Sequence, residues 1–433
     1  MITLNKGQDM AFDAFKTALK TPGSKITISG AAGTGKTTLT KKMLAHCISE
    51  GISGVQLAAP THQAKKVLAA LSGGEANTIH SLMKISPTTY EENQIFEQRE
   101  VPDVSKCQVL ICDEASMYDR KLFDIILNTL QSWCTVVGIG DLYQLRPVTP
   151  GEFEPEISRF FTDQRFKLFE LDEVMRSNAP IIEVATEIRD GAWIRPHEVN
   201  GEGIFQYQGD DAIKKFLTHY FRTVKTRDDI FENRILAFTN KSVDQLNKIV
   251  RKNMYNTTEA FIKDEIIVMQ EPLMVQLKFE GKTFKEIIFN NGEQLRVDAV
   301  NEATLPITCR NVGSINIQYY KLRVTSIDEP DTSEFINVIA DPDQRTRFEM
   351  FLGKAAGVYK SGQGKAYWAD FWDAKNKFVK VKALPACTIH KSQGMSMDNT
   401  FLYTPCIHSS DAEMAQQLLY VGTTRARKNV HYV

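Results

Sequence analysis

The tract Gly30-Ala31-Ala32-Gly33-Thr34-Gly35-Lys36-Thr37-Thr38 constrains this chain more than any other, because it is a complete GxxxxGK[ST] phosphate loop. Its glycines let the backbone curl so that successive N–H groups face one concavity. The β-rich run Lys25-Ile26-Thr27-Ile28-Ser29 delivers the chain into the loop. A helix is expected from Thr37 to about Cys47, with its positive N-terminal end facing the phosphates. In such a loop Lys36 reaches the β- and γ-phosphates of ATP, and the Thr37 hydroxyl takes Mg2+.

A second element completes the site. Val109-Leu110-Ile111-Cys112-Asp113-Glu114 is an apolar run of the kind a buried parallel strand shows, and it ends in two carboxylates. Asp113 is placed to hold Mg2+ through its water shell, and Glu114 to orient and deprotonate the attacking water. A bare Asp-Glu pair is common and usually just solvated, but the apolar strand and the upstream phosphate loop favour the functional reading. A third run, Thr135-Val136-Val137-Gly138-Ile139-Gly140, ends in Asp141-Leu142-Tyr143-Gln144-Leu145. The Gln144 amide at that strand end can hydrogen-bond a γ-phosphate or the lytic water.

These motifs establish nucleotide chemistry and little more, so composition must say what else is excluded. At 433 residues the chain exceeds what one hydrophobic core usually serves, which suggests two to four domains. No apolar run approaches the ~18 residues of a membrane span, and Met1-Ile2-Thr3-Leu4-Asn5-Lys6 lacks the features of a secretory signal. Seven cysteines without a CxxC pair point to reduced thiols in a cytoplasm, with Cys107 and Cys112 as small buried hydrophobes and no zinc. Net charge is −1, so any contact with nucleic acid must be local.

The motifs follow an order that resembles the RecD-like superfamily 1B DNA helicases along nearly the whole chain. The phosphate loop is motif I, Ala59-Pro60-Thr61-His62 motif Ia, Thr78-Ile79-His80 motif Ib, Asp113-Glu114-Ala115-Ser116 motif II and residues 140–145 motif III. Arg176-Ser177-Asn178, residues 388–394 and residues 420–427 match motifs IV, V and VI. The resemblance implies an α/β fold of two RecA-like domains with parallel sheets and ATP held between them. The first domain is expected at 1–84 and 105–176, and the second at 177–251 and 375–433. A small 1B hairpin should occupy 85–104, and an SH3-like, β-rich 2B insertion 252–374.

The family pattern also assigns roles. Lys36, Asp113, Glu114 and Gln144 would be catalytic, with Arg425 as arginine finger and Arg176 as a second candidate. Nucleotide contacts would come from Gln8, which matches an adenine-reading glutamine, from Gly30, Ala31, Ala32, Gly33, Thr34, Gly35, Lys36, Thr37 and Thr38, and from Gly394. Thr37 and Asp113 would hold Mg2+. DNA contacts would fall to Pro60, Thr61, His62, Lys65, Thr78 and His80, and in the second domain to Thr239, Asn240, Thr388 and His390. Hydroxyls and helix N-termini suit sequence-tolerant phosphate binding. The resemblance, which extends to phage members of that family, further implies 5′-to-3′ travel on single-stranded DNA, action on forked duplexes as a monomer, and replication or single-strand-binding proteins as partners.

Phe96, within Asn93-Gln94-Ile95-Phe96-Glu97, matches the pin that splits the duplex in related enzymes. In the second insertion Asn291-Gly292 is a tight-turn signal and residues 342–360 read as a helix. Tyr367, Trp368, Phe371 and Trp372 fall at helical spacing, which marks core packing more often than base stacking. The run Lys375, Lys377, Lys380 and Lys382 reads equally well as a phosphate-facing strip or a solvated face. Two rival functions remain at this stage: a translocase that displaces proteins without opening duplexes, and an ATP-binding switch that does not move.

Overall fold

The computed structural model describes residues 4–73, 75–90, 93–98, 100–147, 156–173, 179–279, 282–361 and 365–433. The chain divides into two compact units. One contains Met1–Ile85, Gln98–Leu246 and Pro385–Val433, and the other Ser86–Glu97 and Asn247–Leu384.

The first unit opens with α1 (Lys6–Leu19), β1 (Lys25–Gly30), α2 (Lys36–Ser49), β2 (Val55–Ala59), α3 (His62–Ser72), β3 (Asn77–Thr78) and α4 (Ile79–Leu82). The hairpin strands β4 (Ile85–Tyr90) and β5 (Asn93–Gln98) come next in the chain but group with the second unit, and the first unit resumes with β6 (Val109–Cys112), α5 (Arg120–Thr129), β7 (Thr135–Gly140), α6 (Arg159–Thr162) and β8 (Lys167–Leu171). Six of these strands form a parallel sheet in the order β3-β2-β6-β7-β1-β8. Its central strands are continuous apolar runs because successive side chains alternate between two covered faces. Val109 and Ile111 pack under α1, α2 and α3 with Phe15, Met43 and Leu68, whereas Leu110 and Cys112 pack on the opposite side with Phe123 and Phe160.

A second sheet is built from α7 (Ala179–Arg189), β9 (His197–Val199), β10 (Glu202–Gln206), α8 (Ala212–Thr223), α9 (Asp229–Glu232), β11 (Asn233–Ala237) and α10 (Asn240–Tyr255). The C-terminal part of the chain returns to complete it. These are the two parallel α/β layers expected from the sequence.

The second unit is β-rich. Strands β12 (Ile266–Met269), β13 (Leu273–Phe279), β14 (Lys282–Phe289), β15 (Gln294–Cys309), β16 (Gly313–Ser326) and β17 (Ser333–Val338) precede α11 (Pro342–Lys360), α12 (Lys365–Lys375) and β18 (Val381–Ala383). Five of them form a sheet in the order β17-β16-β15-β12-β18, with β13–β14 as a separate hairpin. Asn291-Gly292 lies in the turn from β14 to β15, and Phe371 and Trp372 are buried with Phe348, Phe351 and Tyr359. This unit takes in residues 375–384 as well as 252–374, because β18 pairs with β12 and Leu384 N–H donates to Ile266 O. The lysine run therefore leads into a strand of the β-rich sheet.

After β18, strands β19 (Ala386–Thr388), β20 (Met397–Tyr403), helix α13 (Ala412–Thr424) and β21 (Ala426–Tyr432) complete the second sheet, in the order β19-β11-β20-β21-β10-β9. All its pairings are parallel except that of β9 with β10. Among the described residues no helix is long and apolar enough to cross a membrane.

Candidate nucleotide and nucleic-acid site

The phosphate loop leaves the carboxyl end of β1 and enters α2 through Gly35, whose φ of +76° only glycine adopts freely. A Cβ there would also lie 2.3 Å from Gln8 Nε2. Having no side chain, Gly35 leaves the first-turn amides of α2 without a side-chain cap, with Thr37 and Thr38 exposed on that turn. Uncapped amides at the positive end of a 14-residue helix are an anion site. The Lys36 ammonium donates to Gly30 O at 2.6 Å and Ala31 O at 3.0 Å, which holds it over the loop.

Gln8 is buried beside this loop. Its Nε2 donates to Thr34 O at 2.9 Å, and its Oε1 accepts from Asn5 N–H in the capping box of α1. Each end of the amide is thus already engaged, and in this geometry Gln8 braces the loop.

Strand β6 ends beside β7, and β7 beside β1, so their loops converge. Asp113 N–H donates to Ala58 O, extending the pairing with β2 by one residue. Desolvation and the neighbouring Glu114 push the Asp113 carboxyl well above the usual carboxylate range, and nearby Lys36 opposes the shift. Glu114 adopts φ +50°, a conformation a non-glycine residue holds only at some energetic cost. Its Oε2 is buried without a hydrogen-bond partner, as are Gln144 Oε1, Gln393 Nε2 and Arg425 Nε.

Of these atoms, the Glu114 and Gln144 oxygens follow β6 and β7 at the strand ends beside the phosphate loop, and with the uncapped amides they fit a triphosphate and a divalent cation. Among the described residues no group of three or more His, Cys, Asp and Glu side chains forms a metal cage. Mg2+ is bound through one or two protein oxygens plus phosphate and water. Asp113 and Thr37 are the residues here that would hold it.

Residues of the second sheet approach from the other side. Arg189 of α7 and Tyr420 and Thr424 of α13 line a cavity with Ala31 and Ala32. Tyr420 and Arg189 were not picked out from the motifs, although Tyr420 opens the motif VI tract. Arg425, the C-cap of α13, is buried, and its guanidinium donates to Met395 O rather than lining that cavity. Gly394 also departs from expectation. At φ +74° it packs on α3, where a Cβ would sit 3.0 Å from Ala64 Cβ, so it stands with the motif Ia helix and not with the phosphate loop. Arg176 lies outside the described residues.

The expected DNA residues gather at the carboxyl ends of one edge pair of strands in each sheet. After β2, Pro60 leads to Thr61, which caps α3 by accepting from Ala64 N–H, with His62 and Lys65 in the first turn. After β3, Thr78 caps the short turn containing His80. In the second sheet Thr239 follows β11 and accepts from Ser242 N–H just before Asn240, and Thr388 closes β19 and accepts from Lys391 N–H. His80 and His390 are half-buried, and desolvation lowers the pKa of both, so each presents a neutral ring. Phe96, on β5, is 50% exposed.

Comparison with known proteins covers nearly the whole chain. Residues 3–214 match the AAA domain family, 258–383 the Dda helicase SH3 domain, and 384–433 the UvrD-like helicase C-terminal domain. The chain is 54% identical over 434 residues to the ATP-dependent DNA helicase dda of Enterobacteria phage T4, covering 99% of each protein. It is 30% identical over 173 residues to the ATP-dependent RecD2 DNA helicase of Deinococcus radiodurans, a stretch covering 39% of this chain and 22% of that one. Among solved structures, the Pif1 helicase from Bacteroides in complex with ADP-AlF3 and ssDNA aligns with a TM-score of 0.52 at 17% identity, over 100% of this chain and 92% of that one, which shows a shared fold. The match to the T4 protein runs from end to end at more than half identity, and the chain accordingly belongs to the Dda family of ATP-dependent DNA helicases.

Proposed function

We infer that this protein is an ATP-driven motor that moves 5′ to 3′ along single-stranded DNA and separates the duplex ahead of it. The observation that carries the reading is an arrangement. The phosphate loop, the Asp113-Glu114 end and the Asp141–Gln144 turn converge on the central strands β1, β6 and β7, while the DNA residues cap the flanking strand pairs of both sheets.

The loop amides and Lys36 bind the ATP phosphates, and Glu114 orients the attacking water and takes its proton, with Gln144 within the same turn system. Mg2+ held by Asp113 and Thr37 would neutralise charge on the transferring phosphoryl group. Arg425, with Arg176, serves as arginine finger once the second sheet closes on the nucleotide, which would move the Arg425 guanidinium away from Met395. Alternate closing and opening shifts the capped strand ends of the two sheets along the DNA backbone. The RecA-like domains are 1–84 with 105–176 and 177–251 with 385–433, bearing the 1B pin hairpin and an SH3-like insertion that runs on through residues 375–384. Forked duplex is the working substrate and the monomer the working form, in the cytoplasm of a phage-infected host, with replication or single-strand-binding proteins as partners.

The test is strand separation of a duplex with one single-stranded tail, given ATP and Mg2+. Opening with a 5′ tail only is expected. No opening with either tail removes the helicase reading, and opening with a 3′ tail only reverses the polarity.

A further inference from the structure

We propose that Tyr420 is a positioning residue for ATP hydrolysis, whose hydroxyl joins the phosphate loop and the Asp141–Gln144 turn to the helix that carries Arg425. The inference rests on the ATP-driven motor reading and adds a residue to it.

The geometry is a three-way junction. Tyr420 is 2% exposed, and its hydroxyl donates to Asp141 Oδ2 at 2.6 Å while accepting from Ala32 N–H at 3.2 Å. Burial and the Asp141 carboxyl hold that hydroxyl protonated, so the direction of donation is settled. Asp141 is fully buried, and its other carboxyl oxygen accepts from Tyr143 N–H at 3.0 Å within the turn that presents Gln144. Displacing Tyr420 therefore disturbs the residue that shapes this turn. Arg189, also from the second sheet, lies 4.9 Å over the Tyr143 ring and adds a second hold on the same turn.

The Ala32 contact makes the junction responsive. Ala32 N–H belongs to the loop whose amides bind phosphate, so it has two competing acceptors, a phosphate oxygen and the Tyr420 hydroxyl. When the amide turns to phosphate, Tyr420 keeps Asp141 alone, and when phosphate leaves, the amide returns to the hydroxyl. Helix α13 is thereby tethered differently in the two states, and its C-cap is Arg425. The residue acts through Gln144 and Arg425 rather than on the reacting atoms.

The test uses the full chain with Tyr420→Phe, which keeps the ring and removes both hydrogen bonds. Single-stranded-DNA-stimulated kcat is expected to fall about tenfold, the scale of one buried hydrogen bond, with KM for ATP changed less than about twofold and thermal stability retained. Combining it with Asp141→Ala, which removes the acceptor, should slow hydrolysis by less than the product of the two single defects, since both changes break the Tyr420–Asp141 bond. Wild-type kcat in Tyr420→Phe overturns the proposal. So does a loss confined to thermal stability or KM, or a double variant whose defects multiply. If the wild-type protein shows no DNA-stimulated turnover, the motor reading itself fails, an outcome distinct from an active wild type with an unchanged variant.

Discussion

Asp113 sits in a conflict that the rest of the site does not relieve. A carboxyl crowded by protein beside Glu114 has its folded-state pKa raised, so its protonated form contributes stability at low pH. That contribution is lost as pH rises through the folded value, and near neutrality the ionised group is a cost to the nucleotide-free fold. Asp113→Asn should therefore raise the melting temperature of the nucleotide-free protein by about 2 °C while abolishing Mg2+-dependent hydrolysis. A lower melting temperature would show that the carboxylate stabilises the fold. Lys36→Ala should abolish turnover. Glu114→Gln is expected to bind ATP yet lose hydrolysis, because the amide keeps the shape but cannot take a proton, and equilibrium nucleotide binding beside single-turnover rates separates the two effects.

At the scale of elements, the two edge strand pairs use one device, a threonine at or just past a strand's carboxyl end whose hydroxyl accepts from the backbone of the segment that follows. For the hairpin β4–β5 the proposed role is the pin. Phe96→Ala removes the exposed aromatic from β5 and should cut unwinding severalfold while leaving DNA-stimulated ATP hydrolysis near wild type. Equal unwinding by the variant would dismiss the pin. Strand β21 carries another liability. His431 is buried against Phe401, His219 and Tyr207, and burial followed by the charge of His219 depresses its pKa to about 3. Its neutral form stabilises the fold above the unfolded value near 6.5, and that contribution declines as pH falls from there toward 3. Denaturant titrations at pH 7 and pH 5 should show His431→Phe losing less stability on acidification than wild type.

The whole molecule carries a net charge of −1, and the residues proposed to meet DNA offer strand-end hydroxyls, amides and imidazoles, with Lys65 the one cation among them. Few counterions are released when phosphates are bound this way. The plot of log affinity for single-stranded DNA against log salt should accordingly have a slope of roughly −1 to −2. A slope near −5 would reveal a basic track that these residues do not include. The β-rich unit has cores of its own, one around Trp372 and one around Val324.

Much of this design was legible in the sequence because it is written locally. An apolar run ending in Asp-Glu must be a buried strand presenting carboxylates, and Gly35 before Lys36 must open a helix without a cap. A threonine at or just past a strand end is well placed to cap the helix or turn that follows. Such features depend on neighbours a few residues away, and the structure places them at the strand ends where they were expected. The sequence could not decide which distant groups share a bond. Gln8 reaches Thr34 across 26 positions, Gly394 packs on Ala64, and Tyr420 joins Asp141 and Ala32 across 279 and 388 positions. Those pairings follow from the strand order of two sheets and the seating of α13 against them, and no local periodicity encodes either.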